Sequence, residues 1–169
     1  MVINMEKQFI IKEVLSDINK TEYLEQIRSS DWQAGKFLVK LVENGSFFKL
    51  CGEDSKIFVL LDDDKVVSYC TFAHQDEINA PDMFPWIGFV YTFPEYRGKR
   101  MMGKVFNYIF ELAIKENHKH IFLSTDKVGL YEKYGFEYYK NMLDISGNDS
   151  RIYIKKLYRR LTYDCTNKI

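Results

Sequence analysis

The chain lacks a membrane-spanning segment: no apolar run in its 169 residues approaches the ~20 needed to cross a bilayer. Its start, Met1-Val2-Ile3-Asn4-Met5-Glu6-Lys7, has no cleavable leader pattern. Cysteine is sparse. Cys51, Cys70 and Cys165 are odd in number and without metal-ligand spacing, which argues against a disulfide scaffold or a metal centre. Free thiols in a reducing cytosol are the expectation, and no local motif activates any of the three as a nucleophile. Charge of one sign is also missing. Twenty-four basic residues balance twenty-four acidic ones, and the sequence pI is about 6.8. A dominant basic face for nucleic acid is therefore not expected. There are no internal repeats, low-complexity segments or convincing linkers, so residues 1–157 read as one domain and 158–169 as a tail.

Aromatic residues, at 16%, are abundant and concentrate in strand-like segments. Gln8 to Val14 reads as a first strand. Ser16 or Asp17 is placed to cap a helix reaching about Arg28, and Asp31 to cap a second. That second helix carries Ala34, Phe37, Leu38, Leu41 and Val42 on one face, with Gly45 as a stop. Ile57 to Leu61, the turn Asp62-Asp63-Asp64, and Val66 to Ala73 read as a hairpin. Glu77 to Pro85, with two prolines, is a loop. A strand over 86–93, a helix-like run Val105 to Lys115, a strand Ile121 to Thr125, a short helix 128–134 and strands near 136–144 and 151–157 follow. The order β-α-α-β-β-β-α-β-α-β-β predicts an α/β fold, a mixed sheet covered by helices.

The most informative stretch is Tyr96-Arg97-Gly98-Lys99-Arg100-Met101-Met102-Gly103-Lys104. It joins the strand Trp86 to Phe93 to a helix whose apolar face is Met102, Val105, Phe106, Ile109, Phe110 and Ala113. A helix start leaves backbone N–H groups unpaired, and with the helix dipole these favour a phosphate or pyrophosphate. Four bases crowd this turn in a chain of zero net charge, which points to a polyanionic ligand there. The turn lacks the Gly-Lys-Ser/Thr ending of a nucleotide P-loop and the spaced glycines of a dinucleotide fingerprint, so neither ATP nor NAD is the natural ligand.

A second motif, Val128-Gly129-Leu130-Tyr131-Glu132-Lys133-Tyr134-Gly135-Phe136, lies downstream. With both motifs in this order the chain resembles the GNAT superfamily of acyl-CoA-dependent N-acyltransferases, over roughly residues 56 to 157. Arg97-Gly98-Lys99 resembles the family's CoA pyrophosphate loop, and Gly129 to Phe136 its "LYEKxGF" segment. The loop departs from the family pattern: Arg100 and Met102 stand where further glycines are usual, and Gly103 falls one place late. If binding is kept, the side chains of Arg100 and Met102 must project away from the pyrophosphate.

The resemblance implies acetyl-CoA as cofactor, held by Val90, Tyr91, Thr92, Arg97, Gly98, Lys99, Arg100, Met101, Met102 and Gly103. It also implies a bulged strand around Gly88 that splays from its neighbour; a glycine beneath the bulky Trp86 or Phe89 is the alternative reading of that residue. Acetyl transfer needs a base, because only roughly one lysine-type amine in 2500 is neutral at pH 7. Asp76, Glu77, Asp126 and His74 are the candidates, with a helix-capping role as the alternative for Asp126. The resemblance places Tyr131 beside the cofactor sulfur as proton donor. Trp32, Trp86, Tyr91 and Phe93 are candidates to shape an acceptor pocket or to fill the core. The implied protein is a cytoplasmic N-acetyltransferase acting on a primary amine of a small molecule or peptide, with no nucleic-acid or membrane partner. The alternative is a non-catalytic acyl-CoA-binding module of the same fold. The tail, with Tyr158, Arg159, Arg160 and Tyr163, is expected to be solvated or to contribute a dimer contact.

Overall fold

The computed structural model describes residues 8–158; the N-terminal heptapeptide, Cys165 and the tail residues Arg159, Arg160 and Tyr163 lie outside them. Seven strands form one sheet: β1 (Phe9–Glu13), β2 (Lys56–Asp62), β3 (Lys65–Ala73), β4 (Trp86–Thr92), β5 (His120–Thr125), β6 (Glu137–Leu143) and β7 (Asp149–Lys156). Their spatial order is β1-β2-β3-β4-β5-β7-β6, and only the β4–β5 pair is parallel. Four helices cover it: α1 (Lys20–Arg28), α2 (Gln33–Glu43), α3 (Phe47–Cys51) and α4 (Met101–Lys115). The sequence reading has all seven strands in this order. It lacks α3, whose five residues are too few for a helical period to register. It also places a helix at 128–134, where the chain makes only a bend and a single 3-10 turn at Glu132–Tyr134. Gly129 (φ 79°) and Gly135 (φ 82°) bracket that turn in the left-handed region, leaving no room for a longer helix.

Two core layers sandwich the sheet. On one face α4 buries Met102, Val105, Phe106, Ile109 and Ala113 against Val67, Cys70, Ile87 and Leu123. On the other, α1 and α2 bury Leu24, Ile27, Leu38 and Val39 against Ile57, Val59 and Tyr69. The buried stripe of α2 keeps Leu38 and Leu41 of the predicted face but is rotated from the rest of it. It runs Gly35, Leu38, Val39 and Leu41, while Phe37 is 49% exposed. Gly35 causes the rotation: a Cβ there would lie 2.2 Å from Tyr69 Oη and 2.6 Å from Ser30 Oγ, so the helix docks through its glycine. Trp86 belongs to the core, fully buried with Phe122 and Ile152, and does not shape a pocket. Phe93 likewise packs on Tyr69 and Tyr91. The expected caps also differ. Asn19 and Trp32 occupy the N-cap positions of α1 and α2 without side-chain cap bonds. Asp17 instead accepts a bond from the Asn19 N–H, and Ser16 donates to Glu13.

The feature that opens the fold is at β4. It pairs with β5 only through Trp86–Phe122 and Ile87–Leu123, and the two strands then part. On its other side β4 carries a bulge against β3, between the pairs Thr71–Gly88 and Tyr69–Tyr91. Phe89 takes the strain of the bulge at φ 49°, a conformation costing a residue with a Cβ about 1–2 kcal/mol. Gly88, beside it, does not adopt positive φ. Its lack of a side chain serves space.

Met102 tests the packing of α4. Met102→Asp buries an unpaired carboxylate against Val105 and Phe106 and should cost about 3–5 kcal/mol, read as a lowered urea midpoint. Met102→Leu should cost less than about 1.5 kcal/mol. Equal tolerance of both would show that Met102 is not part of the core.

Candidate active site

Two clefts meet where β4 and β5 part. The smaller, about 330 Å³, lies between the end of β4, the start of α4 and the 130–134 turn. Arg97, Gly98, Arg100, Met101 and Met102 line it, together with Val90, Tyr91 and Thr92. The larger, about 820 Å³, lies on the side of the α1–α2 connection and the β5 end, bounded by Trp32, Asp76, Glu77, Phe89, Thr125 and Asp126 among others. Val90, Tyr91, Thr92, Arg97, Leu130 and Tyr131 border both. These six residues are the common border of the two clefts, which together make up the passage beside the parted strands.

The start of α4 forms one mouth of the smaller cleft. Arg100 is its N-cap residue, in the left-handed region at φ 54°. Gly98 (φ 75°) provides the preceding turn, and a Cβ on it would meet nothing within 4 Å. Met102 is buried in the core, leaving the backbone of the first turn beside the cleft. Lys99 and Gly103 are not among the lining residues. A Cβ at Gly103 would come 3.0 Å from Tyr134 Cε1, so this glycine serves helix packing. The basic side chains are less concentrated than their spacing suggests. Arg97 Nε donates to the Thr92 carbonyl (2.9 Å), and its guanidinium lies 3.8 Å from Asp31 and over the Tyr91 ring. Lys99 Nζ donates to the Glu95 carbonyl (3.2 Å) and Lys104 lies over Phe9. Arg97 and Arg100 remain at the cleft.

Tyr131 stands at the junction. It is buried among Phe106, Phe136 and Cys70, and burial first, then Cys70, Tyr134 and Asp126, pushes its hydroxyl pKa well up. The group holds its proton throughout the neutral range.

Asp76 follows β3 and enters the larger cleft beside β4. A Cβ on Gly88 would lie 2.9 Å from Asp76 Oδ2 and 3.1 Å from Thr71 Oγ1. The missing side chain at 88 is thus the space the carboxylate occupies. Burial drives the Asp76 carboxyl up to about 7; the Glu77 N–H, donating to Oδ1 at 2.6 Å, opposes this, and the Glu77 charge adds to it. Such a group changes protonation in the range where a general base works best. Glu77 is also raised, by burial and by Asp144. Asp126 sits at the cleft rim, 82% exposed in its side chain and 3.2 Å from Lys127; no helix begins there for it to cap. His74 lines neither cleft and stacks on Phe84 at 4.4 Å.

Asp31, read from sequence as a helix cap, holds the wall of the larger cleft. Its Oδ1 accepts from Tyr91 Oη at 2.5 Å, and Trp32 beside it stacks on the Tyr91 ring at 5.9 Å, within 9° of parallel. Sequence spacing cannot reveal this tie, because 60 residues separate Asp31 from Tyr91. Cys51 and Cys70 are buried free thiols, Cys51 raised to about 12 by burial, then by Asp76; neither has an activating partner among the described residues.

The family described as Acetyltransferase (GNAT) matches residues 17–136. The chain belongs to the GNAT family. No curated protein sequence matches it. Solved structures do. An acetyltransferase from Streptococcus agalactiae is 22% identical, with a TM-score of 0.63 over 90% of this chain and 100% of that one. The aminoglycoside 6'-N-acetyltransferase from Enterococcus faecium is 14% identical, with a TM-score of 0.64 over 89% of this chain and 98% of that one. An aminoglycoside 6'-N-acetyltransferase complexed with coenzyme A is 13% identical, with a TM-score of 0.64 and the same coverage. At these identities the likeness is one of fold. Among the described residues no helix is long and apolar enough to cross a membrane.

The half-buried Asp76 carboxyl predicts a signed pH effect. With a folded pKa near 7 against an ordinary value of 3.8, folded Asp76 holds a proton that the unfolded chain has released between about pH 4 and 7. Asp76 therefore costs stability increasingly as pH rises through that window. Asp76→Asn should raise the melting temperature more at pH 8 than at pH 5. A gain independent of pH would show that the carboxyl is not desolvated. Gly88→Ala, which must displace the carboxylate, should be destabilising by about 1–3 kcal/mol in chemical denaturation.

Proposed function

We propose that this GNAT protein is an acetyl-CoA-dependent N-acetyltransferase acting on a primary amine. The observation that carries the reading is the pair of clefts that meet at the parted strands, with Tyr131 on their common border, the start of α4 at one end and Asp76 at the other. The residues at the smaller cleft fit CoA. The first backbone N–H groups of α4 and Gly98 suit a pyrophosphate, Arg97 and Arg100 supply positive charge, and Val90 to Thr92 run unpaired by β5 beside the path of an extended pantetheine arm. The acyl thioester supplies an activated carbonyl carbon.

The roles of the chain's own residues follow from their protonation. The amine enters from the larger cleft as an ammonium and gives up one proton to solvent to become the neutral nucleophile. Asp76, ionised above about pH 7, accepts a proton from the amine nitrogen. A carbon–nitrogen bond forms, the carbon–sulfur bond breaks, and the sulfur leaves with the electron pair. Tyr131, which keeps its proton at neutral pH, donates it to that sulfur. The proton held by Asp76 returns through solvent, restoring both groups. Phe106 and Phe136 pack around Tyr131 and leave its hydroxyl little exposed to water.

Two measurements test this reading. Tyr131→Phe should lower single-turnover acetyl transfer at saturating acetyl-CoA by roughly 10- to 1000-fold, within or just below the range of general acid catalysis, with cofactor affinity almost unchanged. A loss confined to affinity would make Tyr131 a positioning residue, and an unchanged rate with chemistry limiting would remove it from the mechanism. CoA should bind more weakly as salt rises, and pantetheine without phosphates should bind worse than CoA. Equal binding of the two would remove the phosphate role from the α4 start. CoA binding without thiol release, across a broad panel of amines, would favour the non-catalytic module.

A further inference from the structure

The walls of the larger cleft differ in kind. Four carboxylates line it, Asp31, Asp76, Glu77 and Asp126, against two bases, Arg97 and Lys127. Two of the acids are already engaged: Asp31 with the Tyr91 hydroxyl and Arg97, and Asp126 with Lys127. What remains for a ligand is one adjacent pair, Asp76 and Glu77, joined through the bond from the Glu77 N–H to Asp76 Oδ1. Such a pair suits one ammonium group. It offers no second, separated anionic station of the kind a polyamine would need.

The opposite wall is aromatic. Trp32 lines the cleft and is 36% exposed, and Phe37, 49% exposed on α2, packs on Phe89 behind it. Phe89 lies between them, its centroid 6.5 Å from Trp32 at 66° and 6.4 Å from Phe37 at 30°. Phe89 is brought there by a left-handed backbone, and strain of that sort collects where a side chain must be aimed at a ligand. The Trp32 ring is itself fixed by stacking on Tyr91, which Asp31 holds. Surface so apolar, and so firmly positioned, matches a flat apolar group.

We infer that the acceptor is a primary amine bearing one positive charge and an aromatic substituent, an arylalkylamine, whose ring lies against Trp32 and Phe89 while its nitrogen lies by Asp76. The inference rests on the acetyl transfer proposed above. It names the acceptor's class from charge placement and ring geometry in this cleft.

The test is release of free thiol from acetyl-CoA by the full chain, with 2-phenylethylamine and tryptamine compared against n-butylamine, spermidine and an aminoglycoside. The arylalkylamines should exceed all three in kcat/KM by roughly tenfold or more. Trp32→Ala should raise KM for 2-phenylethylamine roughly tenfold and that for n-butylamine far less, with KM for acetyl-CoA unchanged. Trp32→Phe, which keeps a flat ring, should recover most of the loss. Circular dichroism melting of each variant establishes that it is folded, and Phe89→Gly provides a second deletion of the wall. Preference for spermidine or the aminoglycoside would overturn the inference and leave acetyl transfer standing. So would an equal effect of Trp32→Ala on both monoamines. No turnover of any amine, with CoA bound, would overturn the proposed function and this inference with it.

Discussion

The separation of β4 from β5 after only two residue pairs is the constraint around which the molecule is arranged. A central parallel pair would ordinarily continue, since backbone groups inside a sheet need partners. Here β4 is drawn the other way by its bulge against β3, and the extra residue is absorbed by Phe89 in a conformation that residues with a Cβ rarely adopt. The sheet remains whole because the two β4–β5 pairs still join its halves, and α4 packs across both through Ile87 and Leu123. The passage is thus not a gap between domains. It is a defect held open inside a continuous sheet, with the rigid layers of α4 and α1–α2 above and below.

Each side of that defect is lined by a different device. On the α4 side the wall is backbone: a helix start, a glycine turn and a left-handed Arg100, with Met102 drawn into the core beneath. On the other side it is made of side chains, tied across long sequence separations. Asp31 reaches Tyr91, Trp32 stacks on the same ring, and Gly88 yields the space that Asp76 takes. The first arrangement suits a ligand recognised by its phosphates, the second a ligand recognised by a charge and a shape.

Sequence pattern carried much of this and stopped at identifiable places. The strand order was legible because the strands are aromatic or β-branched and bounded by turn residues. The apolar face of α4 was legible because its period is unbroken from Met102 to Ala113. The stripe of α2 was misread because the residue that docks most closely, Gly35, carries no hydrophobic signal at all. Gly88 was noticed, but as the mark of a bulge; the strained residue is Phe89, and the glycine answers to a carboxylate twelve residues earlier in the chain. Asp31 looked like a cap because it precedes a helix. Its real partner is 60 residues away, and no local rule reaches that far. The family motifs pointed to the start of α4 and to Tyr131, which the structure brings to one cleft, whereas the aromatic wall of the larger cleft had to be seen in three dimensions.

Arg97 belongs to both halves of the passage. Its Nε is bonded to the Thr92 carbonyl at the mouth of the smaller cleft, while its guanidinium faces Asp31, the residue that fixes Tyr91 and sits next to Trp32 in the larger one. An anion that draws this guanidinium toward α4 loosens its hold on Asp31, and a ligand that displaces Asp31 frees the guanidinium for an anion. By linkage the two effects are equal in free energy. Arg97 therefore stands on the border of both clefts, its one positive charge shared between the Asp31 carboxylate on one side and the start of α4 on the other.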